Sequence, residues 1–306
     1  MTCRICDNEK GNTDYEAREM MFGYRDVFAY FQCAACGCLQ IRDMPADMSR
    51  YYPDTYYSYQ SATPRNAFSN AVATLRDGYA LTGKGLLGRL IYARFPRVEL
   101  HSLSRLNVNK ETRILDVGCG AGTLLSTLQK QGMTRLLGID PFNAHDIEQA
   151  GGLRILKKEI HDVEGEWDVV MLHHSLEHIV DQAAVMKSAA ALLAPGGCCM
   201  VRIPVVSSYA WKHYSTNWVQ LDAPRHLFLH SAESMSILAG HAGLSVDTIV
   251  YDSTAFQFWG SEQYLRDIPL RDEASYLQNP QASGFSSKDI AVFAKRAREL
   301  NAAGQG

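Results

Sequence analysis

Three absences limit what this chain of 306 residues can be. No stretch approaches the ~20 consecutive apolar residues that a membrane-spanning helix needs. Basic residues do not outnumber acidic ones, since 30 Lys and Arg stand against 33 Asp and Glu, and this balance argues against a nucleic-acid partner. The polar start, MTCRICDNEK, lacks the apolar run of a secretory signal. We therefore expect a cytoplasmic globular protein without a membrane or nucleic-acid partner.

Cysteine is scarce except at the N-terminus, where five of the eight cysteines fall within the first 38 residues. Cys3 and Cys6 form one pair at Cys-x-x-Cys spacing, and Cys33 and Cys36 form a second. Four thiolates at this spacing can close a tetrahedral zinc site, with no open position for catalysis. Cys38 is a spare that could replace Cys36. The sequence predicts a small, zinc-ribbon-like structural module over residues 1–45.

The rest of the chain divides by composition and hydrophobic pattern into two further regions. Residues 46–108 are rich in aromatic side chains, including the tyrosine-rich run 51–59, and predict a mostly helical linker or lid. Residues 109–306 alternate short apolar strands with helical stretches, which indicates an α/β domain with a mostly parallel sheet. Residues 252–287 are expected to form an insertion on the acceptor side.

The α/β region predicts seven strands in a Rossmann-like sheet with helices on both faces. The predicted strands are 113–117, 136–140, 153–156, 168–172, 198–203, 246–251 and 290–295. The predicted helices are 123–130, 181–193 and 231–242, the last with Ser231 as its N-cap.

A glycine-rich loop joins the first of these strands to the first helix. It reads Asp116-Val117-Gly118-Cys119-Gly120-Ala121-Gly122, and glycines there permit a tight turn with close approach of a ligand. Asp140 ends the next strand about 20 residues on, where an acid can bind both ribose hydroxyls. These features alone also fit a nicotinamide-dependent dehydrogenase.

Further details make the region similar to the class I S-adenosylmethionine-dependent methyltransferases. The loop is Gly-x-Gly-x-Gly, an acid opens it, and Pro195-Gly196-Gly197 precedes the fifth strand. The resemblance implies that Gly118 and Gly120 hold the amino-acid end of the cofactor and that Asp140 holds its ribose. It also implies a last antiparallel strand, which 290–295 could supply. The remaining cofactor-binding residues implied are Asp116, Pro141, Glu159, Ile160 and His173.

The acceptor side is expected where the fourth strand runs into His173-His174-Ser175-Leu176-Glu177-His178. Ligands bind at the carboxyl edge of an open parallel sheet, and histidine is well suited to remove a proton near neutral pH. The chain resembles sugar C-methyltransferases that carry a zinc module, and this resemblance implies that Glu177 and His178 remove the acceptor's proton. Ser175 departs from the tyrosine of that group. His178 could instead simply cap or pack a helix.

A second cluster spans residues 218–226 and resembles methyltransferases of bacterial glycan and natural-product clusters. His226 is a competing general base here, while Asp222 and Arg225 could bind a charged acceptor, or merely stabilise the loop. In the neighbouring segments, His174, Gln257 and Trp259 are further candidates for acceptor contacts.

The leading hypothesis is methyl transfer to a nucleotide- or polymer-linked sugar in glycan or secondary metabolism. One alternative is an RNA methyltransferase with the zinc module as its RNA platform, although residues 1–45 hold more acids than bases. A second alternative is a non-catalytic, cofactor-binding scaffold. The atom that receives the methyl group, the identity of the base and the oligomeric state stay open.

Overall fold

The computed structural model describes residues 1–53 and 66–306, apart from the side chain of His101. The chain divides into two compact units. The first, called here the cysteine unit, comprises Met1–Pro53, Leu176–Met186 and Ile203–Gly306. The second, the sheet unit, comprises the described residues within 54–175 together with Lys187–Arg202. The predicted boundaries at residues 45 and 108 therefore do not separate the units, because the chain returns twice to the cysteine unit.

The described residues form ten strands and nine α-helices. The strands are β1 (Thr13–Arg18), β2 (Val27–Gln32), β3 (Leu39–Ile41), β4 (Ile114–Val117), β5 (Leu136–Ile139), β6 (Ile147–Gln149), β7 (Leu153–Leu156), β8 (Trp167–His173), β9 (Leu193–Arg202) and β10 (Phe228–Leu229). The helices are α1 (Ala67–Thr82), α2 (Leu86–Arg94), α3 (Val98–Ser104), α4 (Thr123–Lys130), α5 (Gln182–Ala191), α6 (Tyr209–Tyr214), α7 (Ala232–His241), α8 (Phe256–Leu265) and α9 (Ser287–Ala302).

The sheet unit contains a six-stranded sheet in the order β6-β7-β5-β4-β8-β9. Its strands pair in parallel, except that β6 runs antiparallel to β7. The central strand β4 is buried along its whole length, as expected for a parallel strand inside a sheet. Ile114, Leu125 and Ile155 belong to the apolar core of this unit. The predicted α/β class with a mostly parallel sheet is confirmed.

The predicted count of seven strands is wrong for the part of the chain that the structure describes. The sheet gains β6, which the sequence did not predict, and lacks strands at 246–251 and 290–295. Val246, Ile249 and Val250 are exposed. The apolar residues that predict a strand at 246–251 are therefore not buried against a sheet.

Residues 290–295 lie inside helix α9 because its start is capped. Ser286 accepts a hydrogen bond from the backbone N–H of Asp289, and the Asp289 side chain accepts one from the N–H of Ser286. This reciprocal capping box satisfies amides that have no partner within the helix. The apolar run Ile290–Phe293 alone predicts a strand, but the cap that precedes it starts a helix.

The cysteine unit contains a second, antiparallel sheet in the order β1-β2-β3-β10. Its fourth strand comes from far along the chain, since Phe228 and Leu229 pair with Gln40 and Leu39. Tyr30, Trp218 and Phe228 are buried in the apolar core of this unit. The N-terminal strands thus form one folded body with the segment that holds His226.

Three helices, α1 to α3, occupy residues 67–104. Of the tyrosine-rich run 51–59, residues 54–59 lie outside the described residues, so the predicted lid is not described further. No helix in the described ranges combines the length and apolarity needed to cross a bilayer.

Candidate active site

The glycine loop between β4 and α4 follows a path that side chains rarely permit. Gly118, Gly120 and Gly122 have φ values of 72°, 55° and 74°. A Cβ added to Gly118 would lie 2.5 Å from the Cβ of Ser175, whose hydroxyl donates to the carbonyl of Val117 at 2.7 Å. Backbone conformation and lack of space therefore both require glycine at this turn.

Asp140 closes this loop from the end of β5. Its Oδ2 accepts the N–H of Gly120 at 2.8 Å, and its Oδ1 accepts the N–H of Phe142 at 2.9 Å. Asn143 donates to the carbonyl of Gly120 at 2.9 Å. The carboxylate is thereby fixed beside the glycine turn, with lone pairs left for ribose hydroxyls.

Asp116 is a buried carboxyl whose Oδ1 has no hydrogen-bond partner among the described residues. Burial, together with the charge of Asp140, raises the pKa of Asp116 to about 8. A cationic ammonium group would satisfy the oxygen and offset the repulsion between the two carboxylates. These carboxyl oxygens, as hydrogen-bond acceptors, fit the α-amino group and the ribose of S-adenosylmethionine.

The other predicted cofactor residues occupy the ends of strands in the sheet unit. Pro141 directly follows Asp140, and His173 ends β8. Glu159 is exposed and precedes a short 3-10 turn that begins with the buried Ile160. Their contacts with the cofactor stay predictions.

Glu177, His178 and His226 come together within the cysteine unit. Their ligand atoms lie within 4.8 Å of one another, and the imidazole centroids of the two histidines are 4.8 Å apart. Glu177 and His178 lie in a short 3-10 turn, Leu176–His178, and the carbonyl of Glu177 accepts the N–H of Leu227 at 2.8 Å. Two imidazoles and a carboxylate can exchange a proton, and they could also hold a divalent cation.

Backbone carbonyls select the tautomer of both histidines. His178 Nδ1 lies 2.9 Å from the carbonyl oxygen of Arg225, and His226 Nδ1 lies 2.8 Å from that of Gln220. A carbonyl only accepts, so each Nδ1 carries the proton and each Nε2 is left as an acceptor. Both rings therefore present the basic nitrogen that a proton acceptor needs.

His226 has the more buried of the two imidazoles. Its Nε2 lies 4.0 Å from Glu177 Oε1 and 3.9 Å from Asp222 Oδ2. Burial, with the nearby His178, lowers the pKa of His226 to about 4. His226 is thus a neutral imidazole near pH 7 and a weak base.

Arg225 does not have the geometry predicted for an acceptor-binding residue. Its side chain is fully buried and donates to Asp222 at 2.6 Å, to Glu19 at 2.9 Å and to the carbonyl of Tyr51 at 3.2 Å. Although burial opposes it, Arg225 holds the pKa of Asp222 below its ordinary value. Binding of a charged acceptor by Arg225 and Asp222 is therefore disfavoured, because a ligand would have to break this buried ion pair.

The remaining predicted acceptor residues are also engaged. His174, with φ of 54°, donates its N–H to the carbonyl of Arg202. Gln257 is buried in α8 and donates to Ser253 at 2.9 Å. Trp259 is buried in the same helix and packs against an aromatic side chain with ring centroids 5.1 Å apart. Their acceptor roles stay predictions without support from these contacts.

The four cysteines predicted as metal ligands form one cluster. The Sγ–Sγ distance is 3.6 Å for Cys3 and Cys36, and 3.6 Å for Cys6 and Cys33. A tetrahedral ion with Zn–S bonds of about 2.3 Å separates its sulfurs by about 3.8 Å. Cys38 lies apart from this group, with its Sγ 4.0 Å from His230 Nδ1. The donor set and spacing fit Zn²⁺.

The sequence indicates no role in the site for Glu19 or Tyr52. The Glu19 carboxylate accepts a hydrogen bond from Arg225 Nη2, and the Tyr52 hydroxyl lies 3.1 Å from His178 Nδ1. An acid directly before Met20-Met21-Phe22 was a weak signal of burial. Nothing local connects it to a partner 206 positions away.

A comparison with protein families adds an independent finding. A family described as a methyltransferase domain matches residues 90–249, just over half of the chain. The matched range includes β4 to β10, the glycine loop, Asp140 and the histidine cluster.

Two curated relatives are ubiquinone biosynthesis O-methyltransferases. That of Vibrio parahaemolyticus is 36% identical over 95 residues, which covers 28% of this chain and 40% of the relative. That of Psychrobacter arcticus is 31% identical over 170 residues, which covers 48% of this chain and 65% of the relative. The chain thus spans less than two thirds of either relative.

Two solved structures resemble this one at low identity. Magnesium protoporphyrin IX methyltransferase from Synechocystis PCC 6803, with bound SAH, is 14% identical with a TM-score of 0.39, covering 67% of this chain and 90% of that one. The 1,6-didemethyltoxoflavin-N1-methyltransferase of Burkholderia thailandensis is 18% identical with a TM-score of 0.37, covering 62% and 85%.

Proposed function

Since this chain belongs to the class I S-adenosylmethionine-dependent methyltransferases, we propose that it methylates a small molecule, with His178 as the proton acceptor. The observation that carries this proposal is the pair of imidazoles whose Nδ1 protons are fixed by carbonyls beside Glu177. Such a pair suits an acceptor that must lose a proton, such as a hydroxyl or a carbon acid.

The proposed donor site is the glycine loop of the sheet unit. When bound, S-adenosylmethionine supplies a methyl group on a sulfonium, ready for in-line displacement. Gly118 and Gly120 would lie against its amino-acid end, Asp116 would pair with its ammonium group, and Asp140 would accept hydrogen bonds from its ribose. The buried, unsatisfied oxygen of Asp116 supports this assignment.

His178 is the better candidate for the base. His226, with its pKa lowered to about 4, accepts a proton poorly near neutral pH, because the most effective base has a pKa near the working pH. His178 is less buried, and its Nε2 is left as an acceptor. We assign Glu177 the stabilisation of the imidazolium that forms on His178, as a carboxylate does for a catalytic histidine.

The acceptor we propose is a sugar, linked to a nucleotide or a polymer, as in glycan or secondary metabolism. This choice rests on the likeness to sugar C-methyltransferases with an N-terminal cysteine module. The relatives named for ubiquinone biosynthesis are O-methyltransferases that share only part of the chain. They favour a second candidate acceptor, a hydroxyl that does not belong to a sugar, for which a phenol serves as the probe. Both acceptors need proton removal, so the proposed role of His178 is common to them.

For the cysteine cluster we propose one structural Zn²⁺ held by Cys3, Cys6, Cys33 and Cys36. Amide groups aimed at the sulfurs support it: Ile5 N–H lies 3.4 Å from Cys3 Sγ, and Gln40 Nε2 lies 2.9 Å from the same atom. Hydrogen-bond donors that surround the ligand sulfurs stabilise metal-bound thiolates. Eight free cysteines also suit a reducing compartment, so we propose action in the cytoplasm.

The test is a methyl-transfer assay with nucleotide-linked sugars and with phenols, for wild type and for His178→Ala and His226→Ala. Loss of a general base costs about 100-fold or more in kcat, so we expect that loss for His178→Ala and a smaller one for His226→Ala. Exposed His241, at the end of α7, provides the matched control His241→Ala. Full activity of His178→Ala would refute its role as base.

Calorimetry and a chelator complete this test. Binding of S-adenosylmethionine to His178→Ala should match wild type, because the donor residues are unchanged. Full loss of turnover on chelation, with the cysteine cluster still metallated, would show that the histidine cluster holds a divalent ion. Absence of donor binding to wild type would refute the proposed activity.

A further inference from the structure

The orientation of His178 depends on two oxygens that surround its Nδ1. The carbonyl of Arg225 lies 2.9 Å away and the hydroxyl of Tyr52 lies 3.1 Å away. Both oxygens belong to segments that the Arg225 side chain ties together, since its Nη1 donates to the carbonyl of Tyr51 at 3.2 Å. The tautomer of His178 therefore depends on where Arg225 is held.

Arg225 is a fully buried cation, and two carboxylates fix it. Asp222 is local, three residues earlier in the chain. Glu19 directly follows β1, and its Oε1 lies 2.9 Å from Arg225 Nη2. Both side chains of this pair have no exposed area, so water cannot replace either partner, and a buried charge without its counter-charge is costly.

Glu19 is itself held rigidly by its own loop. Its carboxylate accepts the backbone N–H groups of Met21 at 3.1 Å, Phe22 at 3.0 Å and Tyr24 at 3.0 Å. Three amide donors and a guanidinium leave the carboxylate little freedom. A fixed anion of this kind holds a cation at a defined position.

We propose that Glu19 is a positioning residue for His178. By fixing Arg225, it holds the carbonyl that keeps the proton of His178 on Nδ1 and leaves Nε2 as the acceptor. The proposal rests on the proposed function, in which His178 takes the acceptor's proton. It gives residues 1–45 an indirect part in catalysis, because one of their carboxylates positions the base without contact with the reacting atoms.

The main experiment compares Glu19→Gln with wild type. Gln keeps the shape of Glu19 and removes its charge. Glu16→Gln is the matched control, because Glu16 is an acid of the same N-terminal segment that lies on β1 and is exposed. For each protein, ¹⁵N NMR of the histidine side chains reports the tautomer of His178, assigned by its loss in His178→Ala. The kcat and KM for the acceptor and the Kd for S-adenosylmethionine are measured in parallel.

We expect Glu19→Gln to populate both tautomers of His178 and to lower kcat by about 100-fold, the usual effect of a misplaced catalytic group. The donor Kd and the acceptor KM should change less than about 3-fold, and Glu16→Gln should match wild type. A folded Glu19→Gln protein with only the Nδ1–H tautomer and wild-type kcat would overturn the proposal.

If Glu19→Gln does not fold, Glu19→Asp decides the question, since it keeps the charge and withdraws it by one methylene. A mixed tautomer with reduced kcat would support the proposal, and wild-type values for both would refute it. If wild type transfers no methyl group, the proposed function fails, while the NMR arm still tests whether Glu19 sets the His178 tautomer.

Discussion

Asp116 and Glu19 show how differently two buried carboxyl groups can be satisfied. Glu19 has three amide donors and a guanidinium. Asp116 Oδ1 has no partner among the described residues, and burial beside Asp140 raises the pKa of Asp116 to about 8. In the sequence, both are simply acids next to apolar residues. Only the fold shows that Glu19 is a counter-ion for a buried arginine and that Asp116 has an oxygen available for a ligand.

The raised pKa of Asp116 predicts how stability depends on pH. The folded protein keeps this carboxyl protonated up to about pH 8, whereas the unfolded chain releases the proton near pH 4. The folded state therefore binds more protons between those values, and its unfolding free energy falls as pH rises from about 4 to about 8.

Asp116→Asn should remove that part of the pH dependence, on the order of 3 kcal/mol between pH ~5 and pH ~8. It should also weaken S-adenosylmethionine binding by about 10- to 100-fold, because a charged hydrogen bond is lost. Urea unfolding at both pH values and calorimetry measure the two effects. Exposed Asp162→Asn is the control, and an unchanged pH dependence in Asp116→Asn would contradict the assignment.

At the scale of single elements, local rules predicted much of the sheet unit. The helix predicted at 123–130 is α4, the strand predicted at 153–156 is β7, and Ser231 caps α7 as expected. Glycine placement and apolar runs indicate these elements because their signals are local. The apolar run at 290–295 predicts a strand, whereas the capping box before it starts helix α9.

Removing that cap should destabilise α9. Ser286→Ala deletes the side chain that accepts from Asp289 N–H, a loss of about 1 kcal/mol. Hydrogen exchange at the first turn of α9 should accelerate, and the unfolding midpoint should fall. The neighbouring Ser287→Ala variant serves as control, because Ser287 is exposed inside the helix. Equal exchange in the two variants would show that the capping box contributes nothing.

At the scale of the whole molecule, the two units have separate apolar cores. The cysteine unit combines segments from the start, middle and end of the chain. In this unit, the pairing of β3 with β10 joins the N-terminal strands to the segment that contains His226. A linear division into zinc module, linker and enzyme domain therefore misses how the chain is built.

This organisation predicts a selective effect of metal loss. Wild type should hold about one Zn²⁺ per chain, and Cys6→Ser should hold almost none. Metal binding in such sites contributes folding free energy directly, so amide protection should fall in β1, β2, β3 and β10 and persist in β4, β5 and β8. Cys199→Ala, on β9, is the control. Hydrogen exchange with metal analysis tests this, and uniform loss of protection across both sheets would argue against separate cores.

The sequence by itself determined the glycine loop, Asp140, the paired cysteines and the α/β class, because each depends on spacing within a few tens of residues. Only the tertiary structure decided that Arg225 faces Glu19 instead of a ligand, that β10 joins the N-terminal sheet, and that carbonyls set the histidine tautomers. Those features require groups up to 206 positions apart to meet in a buried space. No local pattern specifies which distant partner a charge, a strand edge or an imidazole will find.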